Sequence, residues 1–259
     1  MSEPLATAAP PSVDPRLREL RRVAIVPALN EEHTIGSVIA ELRAFDPGLD
    51  IVVVDDGSAD GTTRAARGAG ARVLRLPFNL GIGGAVQTGF RFAFERGYDI
   101  AVRVDGDGQH DPSQLGLVLA PVLNGDADIA VGSRFTDHSA SGYRSSRSRR
   151  VGIHLLAWVV SRIVGRRVTD TTSGFQAVNR NGIALFARDY PHDYPEVEAT
   201  VMVFRHRLRL VEVPVQMRER GGGRSSITTL RSVYYMVKVL LAIFVGLFRR
   251  NVIPEEASK

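Results

Sequence analysis

Residues 102–112, VRVDGDGQHDP, place the carboxylates Asp105, Asp107 and Asp111 within seven positions, with Gln109 and His110 between them, where an apolar run stops. Carboxylates this close repel one another unless a cation or a set of hydrogen-bond donors neutralises them, so the cluster points to a bound metal. Three readings compete. Asp-Gly pairs are strong turn formers, so a solvated turn is the plainest. A calcium loop of the EF-hand kind starting at Asp105 fails, because its sixth position is His110 where glycine is needed and its twelfth is Gly116 where a bidentate glutamate is needed. The third is a D-x-D site, whose two carboxylates hold a divalent ion that in turn holds a diphosphate.

Such a cluster needs elements that bring it to a ligand. Short apolar runs at 22–28 (RVAIVPA), 50–56 (DIVVVDD), 71–76 (ARVLRL), 99–105 (DIAVRVD) and 128–133 (DIAVGS) read as strands. Amphipathic stretches between them, EEHTIGSVIAELRAF, DGTTRAARGAG, GGAVQTGFRFAFERG and PSQLGLVLAPVLNG, read as helices. Repeated βα units predict an α/β fold with a mainly parallel sheet flanked by helices, and such sheets bind ligands beyond the carboxyl ends of their strands. Each polar cluster stands at such an end: PALNEE, DDGSADGT, NLGIGG and DGDGQHD follow the first four strands. GIGGAV (81–86) is no dinucleotide fingerprint, since Val86 replaces the third glycine, and GAVQTG (84–89) is followed by Phe90 and Arg91, which excludes a P-loop. These glycines, Gly83 among them, instead let a helix start close against the sheet or a ligand.

The 259 residues are 44% apolar, enough for a proper core, and contain no cysteine, so a metal must sit on oxygen or imidazole ligands and nothing calls for an oxidising compartment. The net charge of +5 comes from basic residues clustered late, in YRSSRSRR (143–150), GRR (165–167), RHRLR (205–209) and RERGGGR (218–224). Two late stretches, 151–164 and 232–248, are apolar almost all round, bordered by arginines, and shorter than the roughly 20 residues a bilayer span needs. They read as membrane-interface helices or as buried core helices. Residues 1–20 are expected to be a flexible tail and not a signal peptide.

The ordered motifs PALNEE, VVVDDGSADGT, NLGIGGAVQTG, VDGDGQHDP, VGSR and DTTSGFQA closely resemble the family-2 glycosyltransferases, in particular their dolichol-phosphate mannosyltransferase-like branch. The resemblance implies a single GT-A domain (21–227) followed by a membrane-interface helix and tail (228–259), a GDP-, UDP- or dTDP-sugar donor, Mg2+ or Mn2+, and inversion at the anomeric carbon. It assigns Pro27, Ala28, Asn30 and Glu31, with Asp55 and Asp56, to the donor's base and ribose, and Gly83 and Asp105 to the donor pocket. Asp105, Asp107 and Gln109 become the metal triad. Because these three alternate after a strand, they are expected to face one side, and oxygen ligands suit a hard cation that also binds phosphate. Arg134 in GSRF is expected at phosphate, Asp170 and Ser173-Gly174-Phe175 match a D-x-x-S-G-F element beside the acceptor, and Gln176 departs from the arginine or lysine often found there. Arg218, Arg220 and Arg224 match a basic, glycine-rich lid.

A lipid monophosphate, with a second pKa near 6, is already an anion and needs arginines, whereas a sugar hydroxyl needs a carboxylate base. Arg134, Arg149, Arg150, Ser173 and the arginines of 218–224 therefore favour a polyprenyl-phosphate acceptor. Glu196 and Glu198 in YPEVEA keep a hydroxyl acceptor open. Asp107 and Arg134 are the expected catalytic residues. Peripheral attachment at the cytoplasmic face of a membrane is expected, with a small membrane-protein partner conceivable and no nucleic acid. A sugar-phosphate nucleotidylyltransferase would carry G-x-G-T-R-L after the first strand, which is absent. A non-enzymatic sugar-nucleotide sensor or scaffold is disfavoured by the intact triad.

Overall fold

In a computed structural model, residues 14–135, 147–192, 194–218 and 241 are described, with no side-chain description for 147–154. Residues 1–13 of the expected tail, Arg220, Arg224 and, except for position 241, the segment 228–259 lie outside the described residues, as do the side chains of Arg149 and Arg150; the rest of that expected tail is structured, since Pro15–Glu19 form a 3-10 turn capped by Asp14 with Leu17 buried in the core.

Seven strands form one sheet in the order β3-β2-β1-β4-β6-β5-β7. They are β1 (Arg22–Ala28), β2 (Asp50–Asp55), β3 (Arg72–Arg75), β4 (Ile100–Arg103), β5 (Ile129–Ser133), β6 (Gln176–Asn179) and β7 (Leu210–Pro214). Only β6 runs against its neighbours β4 and β5; the other paired strands are parallel. That single reversal brings the segment before β6, Asp170–Phe175, to the edge where the other strands end. The helices are α1 (Ile35–Phe45), α2 (Thr62–Gly68), α3 (Gly81–Glu95), α4 (Leu115–Leu123), α5 (Arg147–Val164), α6 (Arg180–Arg188) and α7 (Pro195–Arg205).

Strand alternation sends β1 side chains into two separate cores. Ala24 and Val26 pack with Ile35, Val38, Ile39 and Leu42 of α1 and Leu115, Val118 and Leu119 of α4. Val23 and Ile25 pack on the opposite face with Val86 and Phe90 of α3 and with Ile183 and Phe186 of α6. Near-continuous burial of β1 follows from helices on both faces. α3 lies very close to the sheet at Gly89, where a Cβ would stand 2.2 Å from Ile25 Cγ2.

The expected first helix begins four residues later than its sequence pattern, at Ile35, because residues 31–34 form a turn that bonds to neighbouring loops. The stretch after Asp111 divides into a 3-10 turn at Pro112–Gln114, capped by the Asp111 carboxylate on Ser113 N at 3.0 Å, and then α4. On α5, Leu156 and Val160 pack with Val197 and Val201 of α7, while Leu155 and Trp158 are exposed. One face of this apolar stretch is therefore core, and the other is exposed. Among the described residues, no helix is long and apolar enough to cross a membrane.

Candidate active site

Strand order reverses between β1 and β4, since β2 and β3 extend to one side of β1 and β4 lies on the other. At such a switch point the flanking loops diverge and leave a crevice. Here the loop after β1 and the loop after β4 are tied together at its base: Gly106 N donates to Pro27 O at 3.2 Å and Thr34 Oγ1 donates to Gly106 O at 2.8 Å. The loop after β2 joins them. Asn30, at φ +56°, donates its N–H to Ser58 Oγ at 2.9 Å and accepts from Ala59 N at 2.9 Å, while Glu31 N donates to Thr62 Oγ1. An asparagine tolerates this left-handed backbone because its short amide bonds locally.

Asp55 and Asp56 are both buried and both engaged. Asp55 accepts from Ser58 N at 2.8 Å and from Thr63 Oγ1. Burial alone would raise its pKa, but these hydrogen bonds outweigh it and hold the carboxyl below the usual range. Asp56 accepts from Leu80 N at 2.7 Å and Gly81 N at 2.9 Å, so it fixes the start of α3. Its burial prevails over those two bonds and pushes its pKa up. A carboxylate has about four acceptor sites, so these bonds do not exhaust either group.

Strand alternation does not carry through the acidic cluster. β4 ends at Arg103, and residues 104–109 form a turn in which Gly108 has φ +77°. Asp107 accepts from Gln109 N at 3.0 Å and Gln109 Nε2 at 2.8 Å, whereas Asp105 accepts from Arg103 Nε at 3.1 Å. Beneath them His110 is buried, stacked on Phe175 at 5.2 Å, and accepts Asp105 N on Nδ1 at 3.0 Å. Among the described residues there is no cluster of three or more acidic, histidine or cysteine ligands. A divalent cation would therefore rest on two carboxylates and the Gln109 amide, with water and diphosphate oxygens completing its shell. That donor set fits magnesium or manganese and does not fit a metal that needs an all-protein cage.

The chain matches the family model described as glycosyl transferase family 2 over residues 23–188, about two thirds of its length. It belongs to glycosyl transferase family 2. It is 33% identical over 225 residues to an undecaprenyl-phosphate mannosyltransferase of Micrococcus luteus, covering 81% of this chain and 88% of that one. It is 30% identical over 229 residues to a polyprenol monophosphomannose synthase of Mycolicibacterium smegmatis, covering 84% and 85%. Its fold matches that of glucosyl-3-phosphoglycerate synthase from Mycobacterium tuberculosis, crystallised with Mn2+, UDP and glucosyl-3-phosphoglycerate, at a TM-score of 0.68 and 24% identity over 93% and 83% of the two chains. The chain is a glycosyltransferase of GT-A fold, and its relatives include transferases of polyprenyl and dolichyl phosphate.

Against this glycosyltransferase frame, several residues take places their motifs did not announce. Arg134 is buried and holds Asp170 in a two-pronged pair, Nε to Oδ2 at 2.8 Å and Nη2 to Oδ1 at 2.9 Å, so that edge of the guanidinium serves the D-x-x-S-G-F turn first. Glu212 of β7 supports the same turn by accepting Thr169 N at 2.8 Å and Asp170 N at 2.8 Å. Ser173 is buried, its Oγ 3.4 Å from Phe175 N. Arg218 does not stand as a loose phosphate clamp: it pairs with Glu41 at 2.7 Å and Asp111 at 2.9 Å. Gly83 serves packing, since a Cβ there would lie 2.2 Å from Pro191 O. Glu196 is bound to Arg103 at 2.9 Å. Arg103 itself was not singled out from its motif, although a lone charge inside DIAVRVD is a signal. In the β4–β6 register it faces Gln176 directly, so a guanidinium is present one strand away from the position where the resemblance leads one to expect a cation.

Proposed function

We propose that this glycosyltransferase moves a sugar from a nucleoside-diphosphate donor onto a polyprenyl phosphate, inverting the anomeric centre with the help of Mg2+ or Mn2+. The observation carrying the choice of acceptor is the state of Glu196. Of the two carboxylates offered as a base for a hydroxyl acceptor, Glu196 is already engaged: its Oε1 accepts from the fully buried guanidinium of Arg103 at 2.9 Å, so that oxygen is turned to the ion pair. An acceptor that arrives as an anion needs no such base. The names of the relatives at 30–33% identity support the same reading.

The donor would lie over the β1–β4 crevice, its base and ribose toward Asn30, Glu31, Asp55 and Asp56 and its diphosphate toward Asp105, Asp107 and Gln109. When bound there, a divalent cation supplies a Lewis acid for the departing diphosphate. The chain's own groups orient the reactants. The Arg134–Asp170 pair and Glu212 hold the Ser173 turn at the same edge, and the basic residues Arg149, Arg150, Arg220 and Arg224 are the charges proposed to attract an anionic acceptor, since Arg134 and Arg218 are already paired with carboxylates.

Peripheral membrane attachment belongs to the same reading. The exposed side of α5 carries Leu155, Trp158 and Arg162, whose guanidinium lies 5.5 Å from the Trp158 ring, and exposed Arg166 and Arg167 follow it. Aromatic and aliphatic groups rimmed by arginine suit a lipid headgroup boundary. The test is transfer of radiolabelled sugar from GDP-, UDP- and dTDP-donors to undecaprenyl or dolichyl phosphate in detergent, with Mn2+, Mg2+ or chelator. Label should enter the organic phase with one donor class and only with metal. Label reaching only saccharide hydroxyl acceptors would overturn the acceptor assignment.

A further inference from the structure

Arg103 closes β4 with its side chain 1% exposed, an unusual place for a charge. Three groups surround its guanidinium: Nε donates to Asp105 Oδ1 at 3.1 Å, Nη2 to Glu196 Oε1 at 2.9 Å, and Nη1 to the Tyr190 hydroxyl at 3.3 Å. Gly174 leaves room for it, since a Cβ at that position would lie 2.7 Å from Nη2. The guanidinium is thus clamped by the loop after β4, by the segment before α7 and by α7 itself, with the turn before β6 leaving it room.

We propose that Arg103 is a positioning residue for the transfer reaction, fixing the Asp105 carboxylate for the divalent cation, and that Glu196 is its charge-balancing partner. The inference rests on the metal assignment of the proposed function. Its physical basis has two parts. A hydrogen bond from a side chain that cannot move fixes the rotation of the Asp105 carboxylate, as groups bonded to metal-binding carboxylates do in general. A guanidinium beside a metal-binding carboxylate also opposes cation binding by its charge. Glu196, on the neighbouring Nη2 of the same guanidinium, offsets that charge, so orientation is gained without loss of attraction for the cation.

The two parts separate experimentally. Glu196→Gln preserves shape but leaves the Arg103 charge uncompensated beside Asp105. The double variant Arg103→Gln/Glu196→Gln keeps the net charge of the pair at zero and removes only the clamp. Mn2+ affinity is read from free-ion electron paramagnetic resonance in the presence of UDP and, separately, GDP, with thermal melting measured on the same samples. The expected result is Mn2+ binding weakened about tenfold or more in each variant, the range known for losing a group that supports a ligand. Turnover of Glu196→Gln should return to within a few-fold of wild type at saturating Mn2+, which a lost catalytic base would not allow. Variants that melt lower but bind Mn2+ within twofold of wild type would show Arg103 to be purely structural and overturn the inference, leaving the metal site standing. A wild-type chain that binds no Mn2+ with either nucleotide, under conditions where it remains folded, would overturn the metal assignment and this inference with it.

Discussion

Replacing Arg134 by alanine tests how much of the site is held together by one buried ion pair. The Asp170 carboxylate is completely shielded and accepts from Arg134 Nε and Nη2, Arg134 N at 3.2 Å, Thr172 N at 3.1 Å and Thr172 Oγ1 at 3.0 Å. The substitution removes the two charge-assisted bonds, each worth about 1.5–3 kcal/mol, and leaves three neutral ones. The resulting loss of about 3–6 kcal/mol agrees with the ~3–5 kcal/mol typical of breaking a buried pair from one side. At about 2–4 °C per kcal/mol for a chain of this size class, the melting temperature should fall by roughly 6–24 °C. The pH dependence identifies the cause. In the wild type, burial would raise the Asp170 pKa but the hydrogen bonds and charge of Arg134 outweigh it and hold it below the ordinary value. The stability it contributes is therefore present above about pH 4 and is lost as pH falls through the depressed value. In the variant the same carboxyl is buried without its cation, its pKa rises, and its penalty grows with pH. The stability gap between the two proteins should be widest near pH 7 and narrow toward pH 4. Thermal melts across that range measure it, with Arg134→Met/Asp170→Leu expected to recover most of the loss. An Arg134→Ala protein that melts within 2 °C of wild type at pH 7, or a gap independent of pH, would refute the reasoning. Loss of transfer in Arg134→Ala therefore reports a phosphate contact only when the melt has been measured beside it.

Asp107→Ala should abolish transfer and Mn2+-dependent nucleotide binding while moving the melting temperature by no more than about 2 °C, because its carboxylate bonds to the neighbouring Gln109 within a strand-end turn that contributes little to the core; a calorimetric titration with UDP or GDP and Mn2+ checks it. The chain has a single tryptophan, and Trp158 stands exposed on α5, so its emission should shift to the blue on adding vesicles containing anionic lipid and return on adding salt if charge dominates attachment. Unchanged emission at saturating vesicles would count against attachment through α5. Gly83→Ala should cost about 1–3 kcal/mol through the clash with the Pro191–His192 backbone, seen as a lower urea midpoint, and should leave nucleotide affinity near wild type at temperatures where the protein is folded.

The first five strands and the helices between them are legible in the sequence because β1, β2, β4 and β5 are buried almost throughout and so read as apolar runs, with β3 a short, half-exposed edge strand beside them, while each loop at a strand end carries turn chemistry. The motifs at those ends locate the crevice for the same reason. Beyond residue 133 the pattern fails. β6 is the four-residue QAVN, too short to show a period, and its reversal is set by pairing with β4 and β5, not by its own residues. The membrane-like stretch at 151–164 has two apolar faces, and only the position of α7 decides that Leu156 and Val160 are buried while Leu155 and Trp158 face outward. The partners of the charges were the least legible. Arg103 meets Glu196 across 93 residues and Arg134 meets Asp170 across 36, distances over which a sequence specifies composition but not contact. A residue type determines that a buried guanidinium must find a carboxylate; the fold decides which carboxylate it finds, and so which charges remain for the substrate.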